Sequence, residues 1–189
     1  GNKGNKSVIV AVIDTGVDYR HPNLAPNMLP GFDFAENDAD PMDKTGFQNP
    51  GHGTHCAGAV GATGLIDGGI VGLAPEISMM PLRFLDERGP GDLNNAIKAI
   101  DYAIEKKVDV ISASWGAAVS RSQAQPLVEA VKRADDAGII FVAAAANDGK
   151  NNDVTEMYPA NNGFPNSITV AASGSSDAKP SWSNYGTAT

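Results

Sequence analysis

Short apolar runs recur along the chain: "VIVAVI" at 8–13, "ISMM" at 77–80, "VDVISAS" at 108–114, "IIFVAAAA" at 139–146 and "SITVAA" at 167–172. Each is bounded by Gly, Asp, Asn or Pro, and runs this short and continuous read as strands buried on both faces. Two intervening segments carry a different period. In 92–107, Leu93, Ile97, Ile100 and Ile104 share one helical face behind an N-cap at Asp92. In 122–138, Leu127, Val128, Val131 and Ala134 do the same, and Gly138 closes the segment. Buried strands alternating with helices require right-handed crossovers between parallel neighbours. The expected fold is therefore α/β and doubly wound, a mostly parallel sheet with helices on both faces. With 42% hydrophobic residues in 189, one domain over 1–189 is expected. The stretch from Pro30 to Gly51 lacks either period and reads as a long loop.

The net charge of −8 argues against nucleic acid or an anionic membrane surface as a partner, since both require clustered Lys and Arg. No apolar run approaches the length of a membrane span. The single cysteine cannot form an internal disulfide.

In doubly wound sheets, chemistry collects beyond the carboxyl ends of strands. The run 8–13 ends in Asp14-Thr15-Gly16, which sets Asp14 at a strand tip, either as a functional carboxylate or as a turn-initiating one. "HGTHCAGAVGAT" at 52–63, built of Gly, Ala and Thr between its reactive residues, reads as a helix packed too closely for bulky side chains. His52, His55 and Cys56 raise the question of zinc. Cys56 adjoins His55, however, and adjacent helical residues diverge. A pairing of His52 with Asp14 is the sharper reading: a buried carboxylate on one ring nitrogen fixes the tautomer and leaves the other nitrogen to accept a proton. After the run 139–146, Asn147 offers an amide to an oxyanion, or simply forms an Asn-Asp-Gly turn.

Asp14-Thr15-Gly16, "HGTHCAG" at 52–58, Ser114-Trp115-Gly116 and Ala145-Ala146-Asn147-Asp148-Gly149 resemble, in order and rough spacing, the subtilisin-like serine peptidases. "VGLAP" at 71–75, "YPA" at 158–160 and "SNYG" at 183–186 extend the likeness over most of the chain. Cys56 is similar to the proteinase K and thermitase branches. The resemblance implies a serine endopeptidase acting on proteins, with Asp14 orienting His52, His52 as general base and then acid, and Asn147 donating to the oxyanion. It implies that Ser114, Trp115, Gly116, Ala145 and Ala146 contact substrate and that His55 is helix packing; Cys56, next to the histidine helix, is expected to be buried. Trp115 stands where Leu is usual and could equally be core; Ala146 stands where Gly is usual.

The nucleophile should follow in Asp, His, Ser order, yet "GTAT" at 186–189 has Ala188 where a serine would stand. The chain therefore reads as the N-terminal part of a catalytic domain, cut before its serine and inactive alone. Ser114 is no substitute, because no histidine follows residue 55. Asp38, Asp40 and Asp43, with Asp67 in "GLIDGG", suggest structural calcium or a solvated acidic loop. A further family site commonly uses Asp where this chain has Asn23. A pro-segment and secretion are implied by the family alone. Two rivals have other signatures. An aspartic peptidase would use "VIDTG" but needs a second such turn, and a subtilisin-like module without its nucleophile would keep only a peptide groove.

Overall fold

The computed structural model describes residues 2–88 and 91–187; Ala188, where the nucleophile was sought, lies outside them. The expected runs become β1 (Ile9–Asp14), β3 (Ser78–Arg83), β4 (Val110–Ala113), β5 (Ile140–Ala144) and β6 (Ser167–Val170). A short strand not read from the sequence, β2 (Phe32–Asp33), lies inside the stretch 30–51. Its two residues are too few for any period to be visible, and it exists because it pairs in parallel with β3, Phe32 against Leu82 and Asp33 against Arg83. The sheet order is β2-β3-β1-β4-β5-β6, with β1 and β3 parallel in the register Ile9 to Ser78 through Asp14 to Arg83, and β5 and β6 also parallel. The direction of winding reverses at β1, the strand that Asp14 terminates. This is the doubly wound α/β architecture expected.

The chain forms two compact units, Gly1–Ile111 and Ser112–Thr189. In the first, α1 (His52–Gly61) packs on β1 and β3, and α2 (Leu93–Glu105) on β1. Val10, Val12 and Met79 form a buried cluster with Ala57 of α1, while the alternate residues Ala11 and Ile13, fully buried, face the other side of the sheet. Asp92 caps α2 as expected, its carboxylate accepting from Asn94 N and Asn95 N.

In the second unit, α3 (Arg121–Asp136) packs on β5 and starts one residue earlier than the periodicity suggests. Ser120 is its N-cap, and Gln123 reaches back to close a capping box. Pro126 lies inside the helix, five residues after its first. Gly138 follows the end with φ +77°, the left-handed conformation that makes glycine the natural stop. Among the described residues no helix is long and apolar enough to cross a membrane.

Candidate active site

Asp14 is 1% exposed at the end of β1. Its Oδ1 accepts from the Thr15 N–H at 2.7 Å and faces His52 Nδ1 at 2.7 Å. The close approach depends on two glycines. Gly16 turns the chain with φ +100°, and a Cβ there would stand 2.6 Å from Pro41 O. A Cβ on Gly53 would overlap Gly16 O and stand 3.1 Å from Asp14 Oδ1. Gly53 N also donates to Thr15 Oγ1 at 2.9 Å. The Gly- and Ala-rich composition of α1 thus lets its first turn sit directly against the strand tip.

The start of α1 is held by Asn49, which no motif marks, and by Asp43, expected from its spacing to be a calcium ligand. Asn49 Oδ1 accepts from Gly51 N and His52 N, both at 3.0 Å. Asp43 Oδ2 accepts from Thr54 N at 3.0 Å and Thr54 Oγ1 at 2.6 Å, while its Oδ1 accepts from Asn49 Nδ2 at 2.7 Å. A buried carboxylate at a helix N-terminus both satisfies free N–H groups and complements the dipole. Asp43 is buried, and every partner named here is a donor, so it does not fit a calcium ligand. Asp38 and Asp40 are exposed: Asp38 Oδ1 accepts from Asp40 N, and Asp40 Oδ1 from the Tyr19 hydroxyl. Asp67 is exposed and lines, with Asp43, His21 and His55, a cavity of about 1110 Å³. Their carboxylates do not converge. The acidic stretch looked like an ion loop because spacing shows which carboxylates are near one another, and not which donors they face.

His52 is half-exposed on its side chain, at 49%. Its ring is pushed up from 6.5 to about 10, first by the hydrogen bond to Asp14 and then by that to Cys56. Two expectations for Cys56 need correction: it is partly exposed, not buried, and it does converge with a histidine. Four residues after His52, it lies one helical turn along the same face, with Sγ 3.9 Å from His52 Nδ1. The neighbour that matters is His52, not His55. Asp14, His52 and Cys56 are the only His, Cys, Asp and Glu side chains among the described residues whose ligand atoms gather in a group of three, all within 4.8 Å.

Ser114, Trp115, Gly116, Ala145, Ala146 and Asn147 belong to the second unit. Ser114–Gly116 follow β4 and lead into Ala117, which pairs with Tyr158 as an isolated antiparallel bridge, N to O at 2.8 and 3.0 Å. Trp115 is partly exposed, so it is not plain core. Ala145 is buried, its N donating to Val170 O and its O accepting from Asn152 Nδ2. Ala146 adopts φ +86°, a conformation that explains why glycine would be preferred there. Asn147 is exposed, and the turn beyond it is fastened by fully buried Asn184, whose Oδ1 accepts from Asp148 N and Lys150 N.

The model of the subtilase family matches residues 5–189. The chain is 40% identical over 185 residues to the thermophilic serine proteinase of Bacillus sp. (strain AK1), covering 98% of this chain and 43% of that one. It is 39% identical to thermitase of Thermoactinomyces vulgaris, over 94% of this chain and 59% of that. It is 42% identical to the major intracellular serine protease of Bacillus subtilis (strain 168), over 85% and 49%. Since one relative is named as intracellular, membership sets no compartment. The chain thus spans about half the length of these relatives. A solved cold-adapted subtilisin-like serine proteinase superposes with a TM-score of 0.84 at 30% identity, covering 100% of this chain and 63% of that one. The chain belongs to the subtilase family.

Proposed function

We propose that this chain is the aspartate- and histidine-bearing part of a serine endopeptidase, one domain whose nucleophilic serine lies outside residues 1–189. The observation that carries the reading is the 2.7 Å contact between buried Asp14 Oδ1 and Nδ1 of a half-exposed His52. With Nδ1 engaged, Nε2 is the nitrogen left to take a proton from a hydroxyl. The serine oxygen attacks the scissile carbonyl as His52 removes its proton, and His52 returns that proton to the leaving amine. Asn147 donates to the oxyanion. Ser114-Trp115-Gly116 pairs with extended substrate through its backbone, and Trp115 with Ala145 and Ala146 shapes the specificity pocket. A pro-segment accompanies the reading as a family trait.

Fluorophosphonate labelling of the natural gene product, resolved by mass, tests it. A labelled species above the 19.5 kDa of this chain, with labelling lost in His52→Ala, is the expected result. A folded product that takes no label would instead leave a peptide-binding relative without a nucleophile. In the labelled enzyme, Asn147→Ala should lower kcat by about 100- to 1,000-fold with little change in KM; near-normal turnover would remove Asn147 from the mechanism. General-base action needs neutral His52, so the raised pKa predicts activity that climbs toward alkaline pH.

A further inference from the structure

We propose that Asp14, His52 and Cys56 form a binding site for a borderline divalent cation of the zinc type, which takes the ring nitrogen that Asp14 otherwise holds. The three ligand atoms already lie within 4.8 Å of one another. A tetrahedral zinc ion bound to imidazole, carboxylate and thiolate requires N···O and N···S edges of about 3.4 and 3.6 Å. The observed edges are 2.7 Å from His52 Nδ1 to Asp14 Oδ1 and 3.9 Å from Nδ1 to Cys56 Sγ. One edge must open and the other close by less than about 1 Å, which a small rotation of the half-exposed ring accomplishes.

The carboxylate supplies an independent indication. Asp14 Oδ2 is buried and has no protein hydrogen-bond partner, although Oδ1 of the same group has two. An unpaired buried carboxylate oxygen is costly, and a cation held by the same carboxylate offsets the charge left uncompensated on it. The donor set selects the ion. Thiolate with imidazole suits zinc or cobalt(II), whereas calcium and magnesium require oxygen ligands. On binding, Nδ1 and the Cys56 thiol each release a proton to solvent, the metal bonds replace both bonds to hydrogen, and water fills the fourth position. Part exposure of His52 and Cys56 gives the ion its entry.

The site stands on side-chain placement, independently of the peptidase reading, so a chain without hydrolytic activity tests it equally well. Cobalt(II) titrated into the natural gene product that carries this chain should bind here at one equivalent, giving a near-ultraviolet thiolate-to-cobalt band and the strong visible bands of tetrahedral cobalt. Zinc should displace it, and calcium should not. Cys56→Ser should abolish the near-ultraviolet band, and both it and Asp14→Asn should weaken binding at least about tenfold; His55→Ala should leave binding unchanged. Alkylation of Cys56 by iodoacetamide in the unaltered protein, followed on the peptide that carries it, provides a second measurement, which zinc should slow. A folded chain that shows no thiolate band, a band that His55→Ala removes, or alkylation indifferent to zinc would overturn the site.

Discussion

The Asp14–His52 pair and the Asn147 turn are both sited after strand ends, but they are held in opposite ways. Around Asp14 and His52 the backbone is permitted by glycine: Gly16 takes the positive φ, and Gly53 leaves room for the helix to touch the strand tip. Around Asn147 the positive φ falls on an alanine, Ala146. That turn is held by side-chain amides instead, with Asn184 bonding Asp148 N and Lys150 N and its Nδ2 donating to Asn152 Oδ1 at 2.9 Å. A site can thus be fixed by removing side-chain bulk or by overruling backbone preference with buried hydrogen bonds. The first should tolerate no added atoms; the second should gain from a residue that removes the strain.

Gly53→Ala is the sharpest way to break the first arrangement. The new methyl would overlap Gly16 O, which is backbone and cannot turn aside. The expected loss is about 3 kcal/mol, read by urea denaturation, together with loss of the shifted His52 titration. A neutral result would show that α1 is not pressed against the strand tip. Asp43→Ala should follow at about 2 kcal/mol, because it strands both Thr54 donors and leaves the buried Asn49 amide with only the Lys44 carbonyl. Calcium chelation should not reproduce that loss; if it did, Asp43 would be a ligand after all.

The pH dependence tests the pair itself. The folded-state pKa of His52 is raised from 6.5 to about 10, mainly by Asp14. A group raised on folding contributes stability that is fully present below its unfolded value and is lost as pH rises through the folded one. Stability should therefore decline between about pH 6.5 and pH 10, and Asp14→Asn should flatten the decline. Proton NMR of the His52 ring should show the midpoint returning toward that of an ordinary histidine in the variant. A midpoint already near 6.5 in the unaltered chain would mean the 2.7 Å contact does not hold His52 protonated.

The same contrast marks how far the sequence could be read. Asp14 and His52 were legible because a strand period ends at one and a run of small residues surrounds the other, both local signals. The α2 cap at Asp92 was legible for the same reason. Asp43 was misjudged because its role depends on Asn49 and Thr54, six and eleven residues away, which no periodicity connects to it. Cys56 was set aside by comparison with its neighbour His55, when the helical repeat brings it to His52. Asn184 sat in the family-like segment "SNYG", but its role was not legible: its bonds run to residues 32 to 36 positions away, and a buried amide looks like any loop asparagine until the chain has folded. β2 was lost in the same way, being a strand only by virtue of its partner.

Ala146→Gly gives the smallest expected effect, and it tests the second arrangement. At φ +86° an L residue with a Cβ is strained by roughly 1 to 2 kcal/mol relative to glycine. Glycine also widens the unfolded ensemble, which returns about 0.4 to 1 kcal/mol of that gain. The net should be a stabilisation of about 0.5 kcal/mol, read as a small rise in urea midpoint at unchanged m-value. The Asn184 bonds, formed to the backbone N–H groups of 148 and 150, involve no atom of the Ala146 side chain and should persist, so amide exchange at Asp148 should be no faster in the variant. A loss of stability would mean the amides are not holding the turn against a strained residue, and the two sites would then be built alike.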